Sequence, residues 1–245
     1  MAWIANQRSG VGPSVAAGGH VRAADAAGLF LVRVYRLMAL GLAVTGFVAL
    51  LIASSPGAMQ FFLGNRGVFF GVIIAQLVLV MALSAMVNRI SAGMAAVLFF
   101  GYAVLCGVTF SSIFLIYTGA SIAGTFFVTA GAFAGLSAYG AITKRNLDGL
   151  GSFVFMGLIG LVIASLVNIF LASPALYWLT TFVGVIVFAG LTAYDTAKLK
   201  ALAAQTDLAG TAGSKAALQG ALMLYLDFIN LFLILLRIFG GRRRD

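Results

Sequence analysis

Two carboxylic acids stand where a lipid solvent penalises them. Asp195 lies in "GLTAYDTAKLK" and Asp227 in "LYLDFINLF", and both stretches belong to long apolar runs. An ionisable side chain at bilayer depth is expensive, and by default it marks a functional site. Asp195 falls at the C-terminal end of its run, where a helix dipole prefers cations, so it is no cap. Lys198, one turn later, is one available partner for it. Asp227 has no basic residue within a helical turn, so its partner must come from another helix.

Brought together in a low-dielectric medium, two carboxyls cannot both ionise readily, and one of them keeps its proton. Such a pair titrates near physiological pH without any histidine. Asn230, one turn beyond Asp227 on the same face, is placed to hydrogen-bond the neutral acid. Arg89, in "SAMVNRISAG", offers a positive charge to the ionised form. The result is a two-state element: a protonated pair against an ionised pair matched by Arg89 or a cation.

The elements that must position these groups are membrane spans. Of the 245 residues, 62% are hydrophobic and 9% charged, against about 25% charged in a soluble domain. A span needs about 20 apolar residues, and seven runs qualify: 32–53, 67–87, 93–117, 121–142, 152–172, 176–197 and 221–239. Their length and continuity exclude barrel strands, which alternate over about ten residues. The expected fold is an all-α integral membrane protein of seven transmembrane helices over residues 31–241. A flexible, Gly- and Ala-rich N-terminal tail (1–30) precedes it and a basic tail (242–245) follows it. Only the segment before the last span is long, and its alanines predict that helix 6 or helix 7 extends beyond the membrane.

Antiparallel passage places the end of span 6, the start of span 7 and the end of span 2 on one side. Asp195, Asp227 and Arg89 are therefore expected to converge in that third of the membrane. Lys and Arg gather in the N-terminal segment and in the 2–3, 4–5 and 6–7 connections, which places the N-terminus in the cytoplasm. The last span is ambiguous. Nineteen residues just cross, at about 28 Å, whereas Arg237, Arg242, Arg243 and Arg244 would favour a re-entrant helix that keeps them inside.

Much else is excluded. The formal charge of +9 serves topology and lipid head groups, with no nucleic-acid surface. Cys106 alone rules out an intrachain disulfide and any multi-cysteine metal site. His20 is read as a solvated tail residue. Ser111 and Ser112 have no acid–base partner, so no enzyme is expected, and no small-molecule substrate is identified. Gln76, Asn168, Tyr194 and Tyr225 read as interhelical hydrogen-bonders, the two tyrosines as supporting polar groups beside the acids. Small residues in "GAFAGLSA" (Gly131, Gly135, Ala138) and "GLIG" (Gly157, Gly160) predict close helix approach.

The stretches "VFAGLTAYDTAKLK", "LYLDFINLFLILLRIFG" and "FFVTAGAFAGLSAYGAITKRNLDGLGSFVFMGLIGLVIASLVNIFL" resemble the Bax inhibitor-1 family, in its bacterial YccA-like form, over residues 28 to 241. The resemblance implies a seven-helix bundle in an inner membrane with the C-terminal helix central. It implies that Asp195 and Asp227 match a di-aspartyl pH sensor, with Arg89 as its basic partner, and it implies a pH-sensitive calcium leak. It equally implies an alternative, an interaction protein that modulates a membrane-embedded AAA protease. No resident cofactor is expected. Calcium takes six to eight oxygen ligands, so Asp195 and Asp227 with carbonyls and water would make a weak transit site.

Overall fold

The computed structural model describes the backbone of residues 13–87, 89–205 and 210–243, with side chains from Ala26 onward except that of Gln205. His20, Arg8, Asp207 and Arg244 lie outside the described side chains. Among the described residues there are seven long helices: α1 (Pro13–Ala53), α2 (Arg66–Met86), α3 (Ala92–Phe110), α4 (Gly119–Ile142), α5 (Asp148–Leu171), α6 (Pro174–Gln205) and α7 (Gly210–Phe239). All seven are long and apolar enough to cross a membrane.

The boundaries follow from local chemistry. Each of the three prolines opens a helix: Pro13 for α1, Pro174 for α6, and Pro56 for a short turn in the 1–2 connection. There the missing N–H costs nothing. Side chains supply the caps elsewhere. Asn65 accepts from the amides of Gly67 and Val68 at 3.0 and 3.3 Å, Ser91 from Met94 at 3.1 Å, and Thr118 from Ser121 at 3.3 Å. The third span is broken after Phe110. Ser111 and Ser112 turn their hydroxyls back onto the Val108 and Thr109 carbonyls at 2.6 and 2.7 Å, which competes with the helix ladder. One further turn, Ile113–Ile116, completes the crossing.

Two helices extend beyond the apolar core, as their alanines predict: α6 continues to Gln205 and α7 starts at Gly210. Gly210 has φ +66°, a left-handed conformation that glycine adopts without penalty. Helical backbone in α1 already begins at Pro13, within the segment expected to be a tail.

The centre of the bundle is α7. Of its most apolar stretch, 61% is buried, against 11–44% for the other spans. It packs on α1, α3, α4 and α6, and Leu224, Tyr225, Phe228, Leu231 and Leu236 on it are almost fully enclosed. By contrast, α2 packs chiefly on α3, and α5 chiefly on α6.

The last helix runs the length of the bundle and does not turn back. Arg237, near its end, lies 5.5 Å from the Tyr177 ring at the start of α6. Beyond it, the Arg243 amide donates to the Ile116 carbonyl (2.9 Å), the Thr118 amide to Gly241 (3.2 Å), and the Gly241 amide to Ser121 Oγ (2.7 Å). The C-terminal segment is thus tied to the 3–4 connection, at the end of the bundle opposite the 4–5 connection.

The close helix approaches are not where the small-residue motifs place them. A Cβ at Gly131, Gly135 or Gly160 would meet open space. The buried face of α4 is instead Thr125, Thr129, Phe133, Ser137 and Gly140. Motif spacing identifies a smooth face without saying whether protein or lipid covers it. Of the predicted glycines only Gly157 is crowded, by Val187 at 2.8 Å.

Candidate functional site

Gly140 and Gly151 determine how α6 sits. A Cβ on Gly140 would run into the Ala193 backbone, and one on Gly151 into the Tyr194 ring. Glycine at these two positions lets α4 and α5 close onto the turn of α6 that carries Asp195. On the opposite side, α7 presents Asp227 to the same turn.

The two carboxyls face one another closely enough to share a hydrogen bond. Both are buried, Asp195 to 9% exposure and Asp227 to 5%. Among the described residues, Asp227 Oδ2 is a buried side-chain oxygen with no hydrogen-bond partner. The pair opens onto a cleft of about 520 Å³ between α5, α6 and α7, lined also by Ser152, Tyr194, Lys198 and Asn230. Around Asp195 the next hydroxyls are uncharged. Thr196 reaches Ser137 at 3.3 Å and Tyr35 at 3.5 Å.

Asp195 and Asp227 therefore meet as the sequence predicts, and Asn230 lines their cleft. Its amide nitrogen, however, donates to the Leu226 carbonyl of its own helix at 2.8 Å, which leaves its oxygen for the cleft. Tyr194 also lines the cleft, with the Lys198 ammonium 5.9 Å from its ring centre.

Arg89 is not brought to the pair. It is exposed in the turn after α2, where its amide donates to Met86 at 2.8 Å, and α2 packs on α3 rather than on α6 or α7. The sequence places Arg89 beside the acids; the structure leaves it in the turn after a helix that packs on α3. The positive group that acts on Asp195 is Lys198. Tyr225 is also turned away. It is two residues before Asp227, about 200° around the helix. Its hydroxyl pairs with Thr45 at 2.7 Å, and its ring packs edge-on with Phe99 and Tyr102, each at 5.9 Å. It ties α7 to α1 and α3.

Sequence reasoning missed Gly151 and Ser152. The "GLGS" that opens α5 was the available signal, since a glycine at the end of a span can admit a neighbour's aromatic ring. No three His, Cys, Asp or Glu side chains come together among the described residues. The pair therefore offers two acidic ligands, with Asn230 as a further oxygen.

Comparison with known proteins agrees with this architecture. The model of the family described as "Inhibitor of apoptosis-promoting Bax1" matches residues 28–244. This chain belongs to the Bax inhibitor-1 family. Among its relatives, the inner membrane protein YbhL of Escherichia coli (strain K12) is 55% identical over 215 residues, which is 87% of this chain and 92% of that protein. A Borreliella burgdorferi protein is 43% identical over 216 residues, covering 88% and 93% of the two chains. The Lactococcus lactis protein YrjE is 38% identical over 225 residues, covering 90% and 95%. Asp195, Asp227 and the helix that buries them all fall within the matched region of the family.

Proposed function

We propose that this Bax inhibitor-1 family protein is a pH-sensitive cation leak of the inner membrane, that calcium is among the ions it passes, and that Asp195 and Asp227 form its gate. The observation that carries the reading is Asp227 Oδ2, buried without a partner and facing a second carboxyl in a cleft large enough for a hydrated ion. A half-neutral pair is held by a carboxyl–carboxyl hydrogen bond. When both acids ionise they repel at short range, and the cleft then favours their separation or the capture of a cation. Lys198 competes with that cation from α6, while Ser152 and Asn230 add neutral oxygens from α5 and α7. Calcium would complete its shell with water, giving a transit site and not a store.

That the Escherichia coli relative is an inner membrane protein supports the inner-membrane placement. Lys144, Arg145, Lys198 and Lys200 share one end of the bundle, and that end is assigned to the cytoplasm together with the N-terminus.

A second reading, an interaction protein that binds a membrane-embedded protease without conducting, draws on α5. This helix packs chiefly on α6 and exposes Phe153, Phe155, Met156 and Phe170. Calcium entry into liposomes holding the purified protein, followed from about pH 5 to pH 8, separates the two. The leak reading expects entry that rises as the acids ionise. Flux equal to protein-free liposomes at every pH would leave only the interaction reading.

A further inference from the structure

A second cleft continues the first. It holds about 540 Å³ and extends along α6 toward the C-terminal end of the protein, past Ser165 and Thr180 to Arg237. The two clefts share Leu158, Phe188 and Asn230. A third cavity, of about 380 Å³, lies at the opposite end beside Lys144 and Arg145 and shares Tyr194 and Lys198 with the carboxyl cleft. The three follow one another along a single side of α6.

The carboxyl cleft and the second cleft each end, on their outer sides, at a cation set over a tyrosine. At one, the Lys198 ammonium lies 5.9 Å from the Tyr194 ring centre. At the other, the Arg237 guanidinium lies 5.5 Å from the Tyr177 ring centre. Both tyrosines are on α6, about 25 Å apart along its axis, a separation close to the hydrocarbon thickness of a bilayer. A cation over an aromatic face is held by the ring quadrupole. A fixed cation in these positions also repels an entering one.

Polar atoms along this line lack protein partners, and lipid tails cannot satisfy them. Asp227 Oδ2 has no partner, and Asn230 has committed only its nitrogen. Water can satisfy both, at about 30 Å³ per molecule, so each cleft has room for several. Between the clefts, Leu158 and Phe188 stand beside Asn230, and apolar side chains at such a junction can gate by dewetting.

We infer that the route for water and small hydrated cations runs along α6 between α5 and α7, bolted at its two mouths by Lys198 over Tyr194 and by Arg237 over Tyr177. This deepens the leak reading and rests on it for the cation. The wet route itself is tested without any flux.

The test uses full-length protein with Cys106→Ala, single cysteines at four positions, and a membrane-impermeant thiosulfonate applied to vesicles of either orientation. Ser165→Cys and Thr180→Cys label from the Arg237 side, Ser152→Cys labels from the Lys198 side, and the lipid-facing control Ile163→Cys labels from neither. Adding Arg237→Gln raises the labelling rate at positions 165 and 180 by about two- to fivefold, and Arg237→Lys, which keeps a cation over the ring, restores it. If positions 165 and 180 label no faster than position 163, the route is wrong. That result together with persistent calcium entry would place the leak elsewhere in the bundle. Labelling without calcium entry would retain the wet route and sink the leak reading.

Discussion

Gly140→Ala and Gly131→Ala make the same chemical change on one helix, and their effects on stability should differ. Replacing a mid-helix glycine by alanine gains about 1 kcal/mol of helix propensity. At Gly131 nothing lies within 4 Å of the new Cβ, so most of that gain should appear as stabilisation. At Gly140 the new Cβ meets the backbone of Ala193. A backbone cannot rotate away as a side-chain tip can, so α4 and α6 must separate. Overpacking typically costs about 1–3 kcal/mol, which offsets or exceeds the propensity gain. The expected difference between the variants is therefore about 1–3 kcal/mol, with Gly140→Ala the less stable. Because Ala193 lies two residues before Asp195, the same displacement moves Asp195 relative to Asp227 and should distort the pH profile of flux. Reversible denaturant unfolding in one detergent compares the variants. A Gly140→Ala protein as stable as Gly131→Ala would refute the close contact and the positioning argument with it.

Three further outcomes follow from the same geometry. Tyr225→Phe loses the 2.7 Å bond to Thr45 and should cost about 0.5–1.5 kcal/mol in unfolding, with the pH profile of flux unchanged, because Tyr225 faces away from the carboxyls. Lys198→Gln should move that profile to higher pH, since the ionised pair loses its positive neighbour, whereas Arg89→Ala should leave it in place; the same liposome assay reads both. Gly240→Ala places a Cβ against the Leu236 carbonyl and the Tyr117 ring, so it should loosen the C-terminal strap and speed proteolysis at Arg242 and Arg243.

The spans were legible in the sequence because lipid imposes long apolar runs, and Pro56, Ser91, Thr118 and Pro174 mark where they stop. The carboxyl pair was legible for the same reason, since Asp195 and Asp227 have no inexpensive alternative at that depth. What could not be read was azimuth. The sequence puts Arg89 beside the acids, whereas the structure leaves it in the turn after a helix that packs on α3, because hydropathy says nothing about which helix a residue faces. Gly131 and Gly135 failed in the same way: a smooth helix face packs equally well on protein or on lipid. Whether α7 crosses was undecidable from charge, since the tail's arginines argue against crossing. Hydrogen bonds from the tail to Ile116 and Ser121, beyond any local pattern, place its end.

The most direct test of the account is calcium entry into liposomes, compared across about pH 5 to 8 for the wild type, Asp195→Asn, Asp227→Asn and the double variant. Asparagine keeps the shape and a hydrogen-bonding group but removes the titration. The account predicts a flattened profile in each single variant and little further change in the double, because the two acids act as one unit. Single variants that both keep the wild-type pH dependence would contradict it and leave Asp195 and Asp227 as a clamp between two helices.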